Sequence, residues 1–176
     1  LVNDNDPDSS DSLSVQSIDT TGTQGSVTDN GDGTLHYDPT GAASLQALGV
    51  GEFQTDSFSY TASDGHGGTS AATVTITVNG VNDAPLTTDD DYPSDFVTDE
   101  DTVLTESVIS VLDNDSDPDG DSLTVSSYDA LSASGASVTV NADGTFVYDP
   151  TGAALLQALA DTESATDTFS YTANDA

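Results

Sequence analysis

Five aspartates fall within nine residues in Asp113-Asn-Asp115-Ser-Asp117-Pro-Asp119-Gly-Asp121, and their alternate spacing in a tight loop aims the carboxylates at a common point. Two such charges about 4 Å apart repel by about 1 kcal/mol even in water, and by more beside protein. A hard dication resolves the conflict. Calcium takes six to eight oxygens from carboxylates, amides and backbone carbonyls, which these residue types supply without any soft ligand, whereas magnesium keeps more of its water. An EF-hand reading can be tested directly. With Asp115 as first ligand, Asp117, Asp119, Gly120 and Asp121 take positions 3, 5, 6 and 7, but Ser126 stands at position 12 where the bidentate glutamate belongs. The flanking sequence is strand-like, so the loop is not an EF-hand.

The same arrangement occurs earlier, in a stretch holding Asp4, Asp6, Asp8 and Asp11, with Ser9-Ser10 in place of Gly120 and one residue inserted. An isolated Asp-rich loop reads equally well as a solvated turn; its repetition with nearly intact spacing favours cation binding. The chain's two histidines, His36 and His66, lie in unrelated places, one in a strand and one in a Gly-rich turn. His66 reads as an exposed turn residue, and no Ser/His/Asp grouping is supported. Paired carboxylates for glycoside hydrolysis cannot be told from calcium ligands by sequence, but an active site normally occurs once and this feature occurs twice. The chain is therefore read as non-enzymatic. The sequon Asn114-Asp-Ser lies inside the acidic loop and is read as chance.

Composition sharpens the need for a cation. Of 176 residues 32 are Asp or Glu and none is Lys or Arg, a net charge of -32. Every carboxylate must face water, a backbone donor or a bound ion. Nucleic acid is excluded as a partner because phosphate binding draws on Lys and Arg, and anionic membrane surfaces are excluded likewise. No apolar run approaches the ~20 residues needed to span a bilayer, and Leu1 opens without a basic or apolar leader, so neither membrane insertion nor a native N-terminus is expected. With no cysteine, disulfides cannot staple the fold, and outside the cell metal ions are the usual substitute. A chain without Lys or Arg also offers trypsin-like proteases no site, which suits a secreted location.

The elements that hold the loops come in two copies. Asp32-Gly-Thr-Leu-His-Tyr-Asp-Pro-Thr-Gly-Ala-Ala returns as Asp143-Gly-Thr-Phe-Val-Tyr-Asp-Pro-Thr-Gly-Ala-Ala, a period of 143 - 32 = 111 residues, and positions 32–65 and 143–176 share 23 identities in 34. Apolar residues alternate in Val74, Ile76 and Val78, in Phe58, Tyr60 and Ala62, and in the pairs Leu123/Val125, Val138/Val140 and Phe146/Tyr148, the period of half-buried strands. Asn30-Gly-Asp-Gly and Asn141-Ala-Asp-Gly sit between such runs as hairpin turns. Many short strands at this spacing indicate a β-sandwich. Gly41 to Leu48 and Gly152 to Ala160 lack β-branched residues and read as short helical turns, with Leu45, Leu48, Leu156 and Leu159 plugging one end of the core.

The junction carries a resemblance. Thr61-Ala-Ser-Asp64-Gly-His-Gly-Gly, followed by Ala72-Thr-Val-Thr-Ile-Thr-Val-Asn-Gly-Val-Asn82-Asp83-Ala-Pro85, resembles the last two strands and linker of a cadherin-type repeat. More narrowly it is similar to the bacterial cadherin-like (VCBS) repeats of very large secreted adhesins and filament proteins. The Tyr-Asp-Pro-Thr-Gly-Ala-Ala, Asp56-Ser-Phe-Ser-Tyr and Glu100-Asp-Thr elements fit the same family over essentially the whole chain. The resemblance implies all-β, cadherin/immunoglobulin-like sandwiches joined end to end, with calcium ions stiffening each junction.

On that pattern the expected organisation is a repeat over 1–80 that is entered late, a calcium-binding linker over 81–85, and a repeat over 86–176 that lacks its last strand. Carried over by resemblance, Asn82 and Asp83 match linker ligands, Asp115 and Asp117 match paired aspartates, and Asp121 matches a carboxamide position, with Asp119 beside them in the loop. Asp175 matches an aspartate before the last strand, and Glu52, more loosely, an acidic ligand of the preceding repeat. Asp64 with Asp4, Asp6, Asp8 and Asp11 would form the corresponding cage at the junction before this segment.

Three functions compete on this evidence. The repeats could be structural extenders of an adhesin or filament, with neighbouring repeats and identical chains as partners. They could instead be a module gripping polysaccharide or a cell surface, or accessory repeats of a secreted enzyme. A sugar grip usually displays aromatic platforms, and here the aromatics mostly alternate inward and Trp is absent, so the extender reading leads.

Overall fold

The computed structural model describes residues 1–8, 10–91 and 96–175. Its contacts divide the chain into two compact units, Leu1–Asn82 and Asp83–Ala176.

In the first unit β1 (Ser14–Asp19), β2 (Ser26–Asp29), β3 (Leu35–Asp38), β4 (Phe53–Ser63) and β5 (Thr69–Asn79) form two antiparallel sheets, β1-β4-β5 and β2-β3, with the single turn α1 (Ala43–Gln46) between β3 and β4. β4 and β5 pair along their whole length, from Phe53 opposite Asn79 to Ser63 opposite Thr69. Period-two alternation does what it should: Phe58, Tyr60 and Ala62 are buried, Val74, Ile76 and Val78 are half-buried, and the threonines between them are exposed. Asp56 occupies an inward position on the same face and is itself only 4% exposed.

In the second unit β6 (Leu104–Glu106), β7 (Thr124–Tyr128), β8 (Ser137–Val140), β9 (Phe146–Asp149) and β10 (Tyr171–Asn174) form the sheets β6-β9-β8 and β10-β7. The repeat seen in sequence is thus a repeat in structure, with β7, β8 and β9 corresponding to β1, β2 and β3. The core gathers Val111, Val138, Val140 and Phe146, with Phe96 edge-on to Phe146 at 5.1 Å and Phe169 tilted against it at 5.5 Å. A second cluster holds Ala136, Ala153 and Leu156 with Leu159 packed on it. The Leu45 and Leu156 side chains are buried as expected of a core plug. In the second unit the segment makes one helical turn, closed by Gln157 N–H to Ala153 O at 3.0 Å.

Both hairpin turns form where the Asp-Gly pairs stand. Gly33 and Gly144 take φ of +84° and +82°, and the turns close through Asn30 N–H to Thr34 O at 3.1 Å and Asn141 N–H to Thr145 O at 2.8 Å.

Candidate metal centre

The chain leading into the second unit's acidic triad is pinned at two points. Val111 N–H donates to Gly144 O at 3.1 Å, while Leu86 and Ser116 exchange both backbone bonds at 2.8 and 3.1 Å. Just beyond these anchors the chain folds over Asp117. Its Oδ1 accepts from Asp119 N at 2.9 Å and Asp121 N at 3.4 Å, its carbonyl accepts from Gly120 N at 3.1 Å, and Gly120 takes φ +78°, a conformation few other residues adopt. Carboxylate oxygens of Asp117, Asp119 and Asp121 consequently lie within 4.8 Å of one another. Oxygens sharing one calcium ion stand no more than about 5 Å apart, twice a 2.3–2.6 Å bond, so the triad meets the spacing of a shared ion.

Two oxygens of this triad decide whether a cation fits. Asp119 Oδ2 accepts from Asp83 N at 2.8 Å, but Asp119 Oδ1 and Asp117 Oδ2 are buried with no donor at all. Two carboxylates packed against the strands are saturated instead. Asp56 accepts from Gln24 N, Gly25 N, Ser57 N and the Tyr37 hydroxyl at 2.7 to 3.1 Å, and Asp167 accepts from Ser134 N at 2.8 Å, Thr168 N at 3.0 Å and the Tyr148 hydroxyl at 2.7 Å, with the Ser132 hydroxyl also against it. Orphaned carboxylate oxygens are costly, and with no Lys or Arg in the chain a metal ion is the natural occupant. The donors, all oxygen, suit calcium.

In the first unit Asp6, Asp8 and Asp11 also bring their oxygens within 4.8 Å of one another. This loop is looser. Asp8 is exposed, Asp6 Oδ1 accepts from Asp8 N at 2.8 Å and Asp11 Oδ1 from the Ser10 hydroxyl at 3.3 Å, and none of the triad's oxygens is among the buried, unpartnered atoms.

The profile of the bacterial cadherin-like domain matches residues 1–80 and, a second time, residues 82–176. The chain belongs to the bacterial cadherin-like domain family. No curated protein and no solved structure matches it significantly. Within the two cadherin-like domains, the remaining residues singled out from sequence fall outside the triads.

Asp4 Oδ2 accepts from the Tyr60 hydroxyl at 2.6 Å, a bond that raises the Tyr60 hydroxyl's pKa. Asp64 shapes the β4–β5 turn, accepting from His66 N at 2.7 Å and Gly68 N at 3.0 Å, and these bonds, His66 first, hold its carboxyl below the usual range. His66 is exposed, as its turn position implied, yet its Nδ1 lies 3.4 Å from Asp11 Oδ2, against the triad that the sequence reading kept it apart from. Glu52 is exposed and caps its own turn, Oε2 accepting from Gly49 N at 3.3 Å. Asn82 is the last residue of the first compact unit; Asp83 touches the second triad through its N–H, and Asp175 follows β10, half-buried.

Asp115 stands outside the clustered triad; its Oδ1 accepts from Thr88 N at 2.8 Å and its Oδ2 from the Tyr171 hydroxyl at 2.8 Å. Beside it lies Asp90, which sequence reasoning passed over. Burial, opposed by a hydrogen bond from Tyr171 and reinforced by the charges of Asp115, Asp113 and Asp89, pushes the Asp90 carboxyl up to about 6. Among the described residues no helix is long and apolar enough to cross a membrane.

Proposed function

We propose that these cadherin-like domains are calcium-stiffened extender repeats of an extracellular adhesin or surface filament, without catalytic activity of their own. The observation that carries this reading is the pair of buried, donorless oxygens on Asp117 and Asp119, inside a triad of carboxylates and in a chain without a cationic side chain. Calcium binding there withdraws charge repulsion from the loop that follows the linker. Because the unfolded chain has no such site, the ion stabilises the fold by mass action, by about 2.7 kcal/mol when calcium stands at a hundred times its dissociation constant. Asn82 and Asp83 join this ion in the reading, so that calcium restrains the linker and sets the repeats in a stiff line. Its partners are then neighbouring repeats and identical chains in an adhesive or biofilm matrix.

The test is a calcium titration read by small-angle scattering and thermal melting, on the chain and on its Asp117→Asn/Asp119→Asn variant. Extension of the scattering profile and a rise in Tm at ~0.1–1 mM calcium, the range of extracellular modules, both absent from the variant, are the expected result. An unchanged profile and Tm in the unaltered chain would reduce the acidity to a solubility device. A polysaccharide-binding module would instead be retained on a glycan surface with calcium-independent length.

A further inference from the structure

We propose that β5 (Thr69–Asn79) is a self-association edge, on which the same strand of a second copy of this chain pairs antiparallel about a two-fold axis. β5 ends the sheet β1-β4-β5. One of its sides is paired to β4 along all eleven residues, and among the described residues no strand pairs with the other. In an antiparallel ladder alternate residues turn their N–H and C=O groups outward, so the open side of β5 is a template for a further strand. Proteins ordinarily blunt such edges with short strands, bulges, prolines or charges. The opposite edge of the same sheet is guarded in this way: β1 has six residues, ends on Asp19 and carries a bulge between Val15 and Ser17. β2, β3 and the described strands of the second unit are five residues long or shorter. β5 has none of these devices. Its register on β4 is unbroken, and it contains no proline and no charged side chain.

Charge selects the occupant. The chain carries -32, and two copies repel wherever their carboxylates face each other. The eighteen residues 65–82 hold no acid, the longest such run in the chain, so a second copy meets least repulsion at this edge. A basic partner would find no carboxylate on the strand to hold, and a glycan no aromatic ring. The side chains also match themselves. Thr73, Thr75 and Thr77 are exposed on one face; Val74, Ile76 and Val78 on the other are half-buried, less covered than Phe58, which stands opposite Val74 on β4. A two-fold axis at Thr75 sets Thr73 opposite Thr77 and Val74 opposite Ile76 of the second copy, like beside like on both faces, pairs that stabilise a sheet. Pairing along the strand adds up to about ten N–H···O bonds. The contact is isologous and closes on itself as a dimer. It gives the identical-chain partner of the reading above a surface, and rests on that reading only for its extracellular setting.

Sedimentation velocity on the full chain measures the association, as a concentration series in calcium-free buffer at 0.15 M sodium chloride, where charges more than about 8 Å apart are screened but directly opposed ones are not. Amide hydrogen exchange by NMR reads the edge itself. Expected is a monomer–dimer equilibrium in which alternate amides of β5 become protected as the dimer fills. Thr75→Glu/Thr77→Glu sets like charges across the two-fold axis and should weaken the dimer at least about tenfold. Thr124→Glu/Ser126→Glu, the same added charge on exposed positions of β7, should leave it unchanged. A thermal melt of the β5 variant separates lost pairing from lost structure, and if that variant fails to fold, amide exchange in the unaltered chain decides alone. A chain that stays monomeric throughout the series overturns the proposal, as does a dimer that survives in the folded β5 variant or leaves the β5 amides unprotected. A dimer that forms only with calcium and disappears in Asp117→Asn/Asp119→Asn assigns the contact to the acidic loop and likewise overturns it. A calcium-independent dimer on β5 upholds it, even where the chain's length and Tm ignore calcium and the stiffening reading falls.

Discussion

The Tyr37 hydroxyl donates to Asp56 Oδ2 across 2.7 Å, and the contact recurs one repeat later as Tyr148 to Asp167, again at 2.7 Å. The first contact ties β3 to the buried Asp56 of β4, and the second ties β9 to the half-buried Asp167 in the segment before β10; both carboxylates are satisfied by hydrogen bonds alone. Tyr37→Phe removes one donor and should destabilise the first domain by about 1–2 kcal/mol. Asp56→Ala removes the acceptor of three backbone N–H groups, those of Gln24, Gly25 and Ser57, and of the Tyr37 hydroxyl, and should cost at least about 3 kcal/mol. Urea denaturation followed by tyrosine fluorescence or circular dichroism measures both, and equal effects from the two variants would contradict the ranking.

The same carboxylates set an acid limit. Burial pushes Asp56 up, but the bonds from Gly25, Tyr37, Gln24 and Ser57 outweigh it and hold the carboxyl below its ordinary value. For Asp167 burial is likewise outweighed, by Ser132, Tyr148 and Ser134. A folded-state value below the unfolded value near 3.9 means the stabilisation is complete above that value and drains away as pH falls through it and on through the folded one. Tyr37 runs in the opposite sense. Burial and Asp56 raise its hydroxyl to about 12, so its contribution is present below about 10 and lost as pH climbs toward 12. Thermal melts from pH 7 down to 3 in calcium-free buffer should show a decline below about pH 4 that flattens in Asp56→Asn/Asp167→Asn; a slope unchanged by that variant would place the acid sensitivity elsewhere.

The two triads should not bind alike. The second has Gly120 to make the tight turn and two buried oxygens with no donor, whereas the first has Ser9-Ser10 at the corresponding point and an exposed Asp8. Calcium should therefore occupy Asp117, Asp119 and Asp121 first, with the Asp6, Asp8 and Asp11 loop at least tenfold weaker. Calorimetric titration of Asp117→Asn/Asp119→Asn against Asp6→Asn/Asp8→Asn resolves the order, and loss of the tighter step in the latter variant would reverse it.

What sequence disclosed and what it withheld divide by distance along the chain. Val138 and Val140, or Phe58, Tyr60 and Ala62, declare their buried face by period two alone. The triad of Asp117, Asp119 and Asp121 is legible for the same reason: its members are two apart in one tight turn, and local geometry suffices to gather them. Asp115 sits two residues before Asp117 in the same pattern, yet its oxygens are taken by Thr88 and Tyr171, which lie 27 and 56 residues away. No spacing rule reports such donors. Asp90 escaped notice similarly, because the bridge that sets Leu86 beside Ser116 follows no periodicity. Asp56 was visible as an inward position in the β4 alternation, but the N–H groups that make it tolerable come from Gln24 and Gly25, about thirty residues upstream.

A charge of -32 with no cationic side chain makes stability depend on salt. In calcium-free buffer, sodium chloride screens repulsion between carboxylates more than about 10 Å apart at 0.1 M, and Tm should rise steadily between 10 mM and 1 M. With calcium bound, the loops already hold their compensating charge, so the rise should be smaller. Scanning calorimetry at several salt concentrations, with and without calcium, checks this; identical salt slopes in both series would mean that the acidic loops are not where the ions act.

Equivalent turns in the two domains offer a last and sharply local test. Gly33 and Gly144 share the left-handed backbone of the hairpin turn, so replacing either by alanine incurs the ordinary penalty of about 1–2 kcal/mol for that conformation. Their surroundings differ. A Cβ on Gly33 would meet only the Leu1 side chain at 3.6 Å, in ordinary contact, whereas one on Gly144 would stand 2.1 Å from Ser110 Oγ. That hydroxyl donates to Asp143 O at 2.8 Å and accepts from Leu112 N at 2.9 Å, beside the fully packed Val111. Moving it aside breaks both bonds at the entrance to the acidic loop. Gly144→Ala should thus cost about 1–3 kcal/mol more than Gly33→Ala, and it should also weaken calcium binding at Asp117 and Asp119. Paired denaturation curves measure the first effect and calcium titration the second; equal costs in the two domains would show that the turn conformation alone governs both positions.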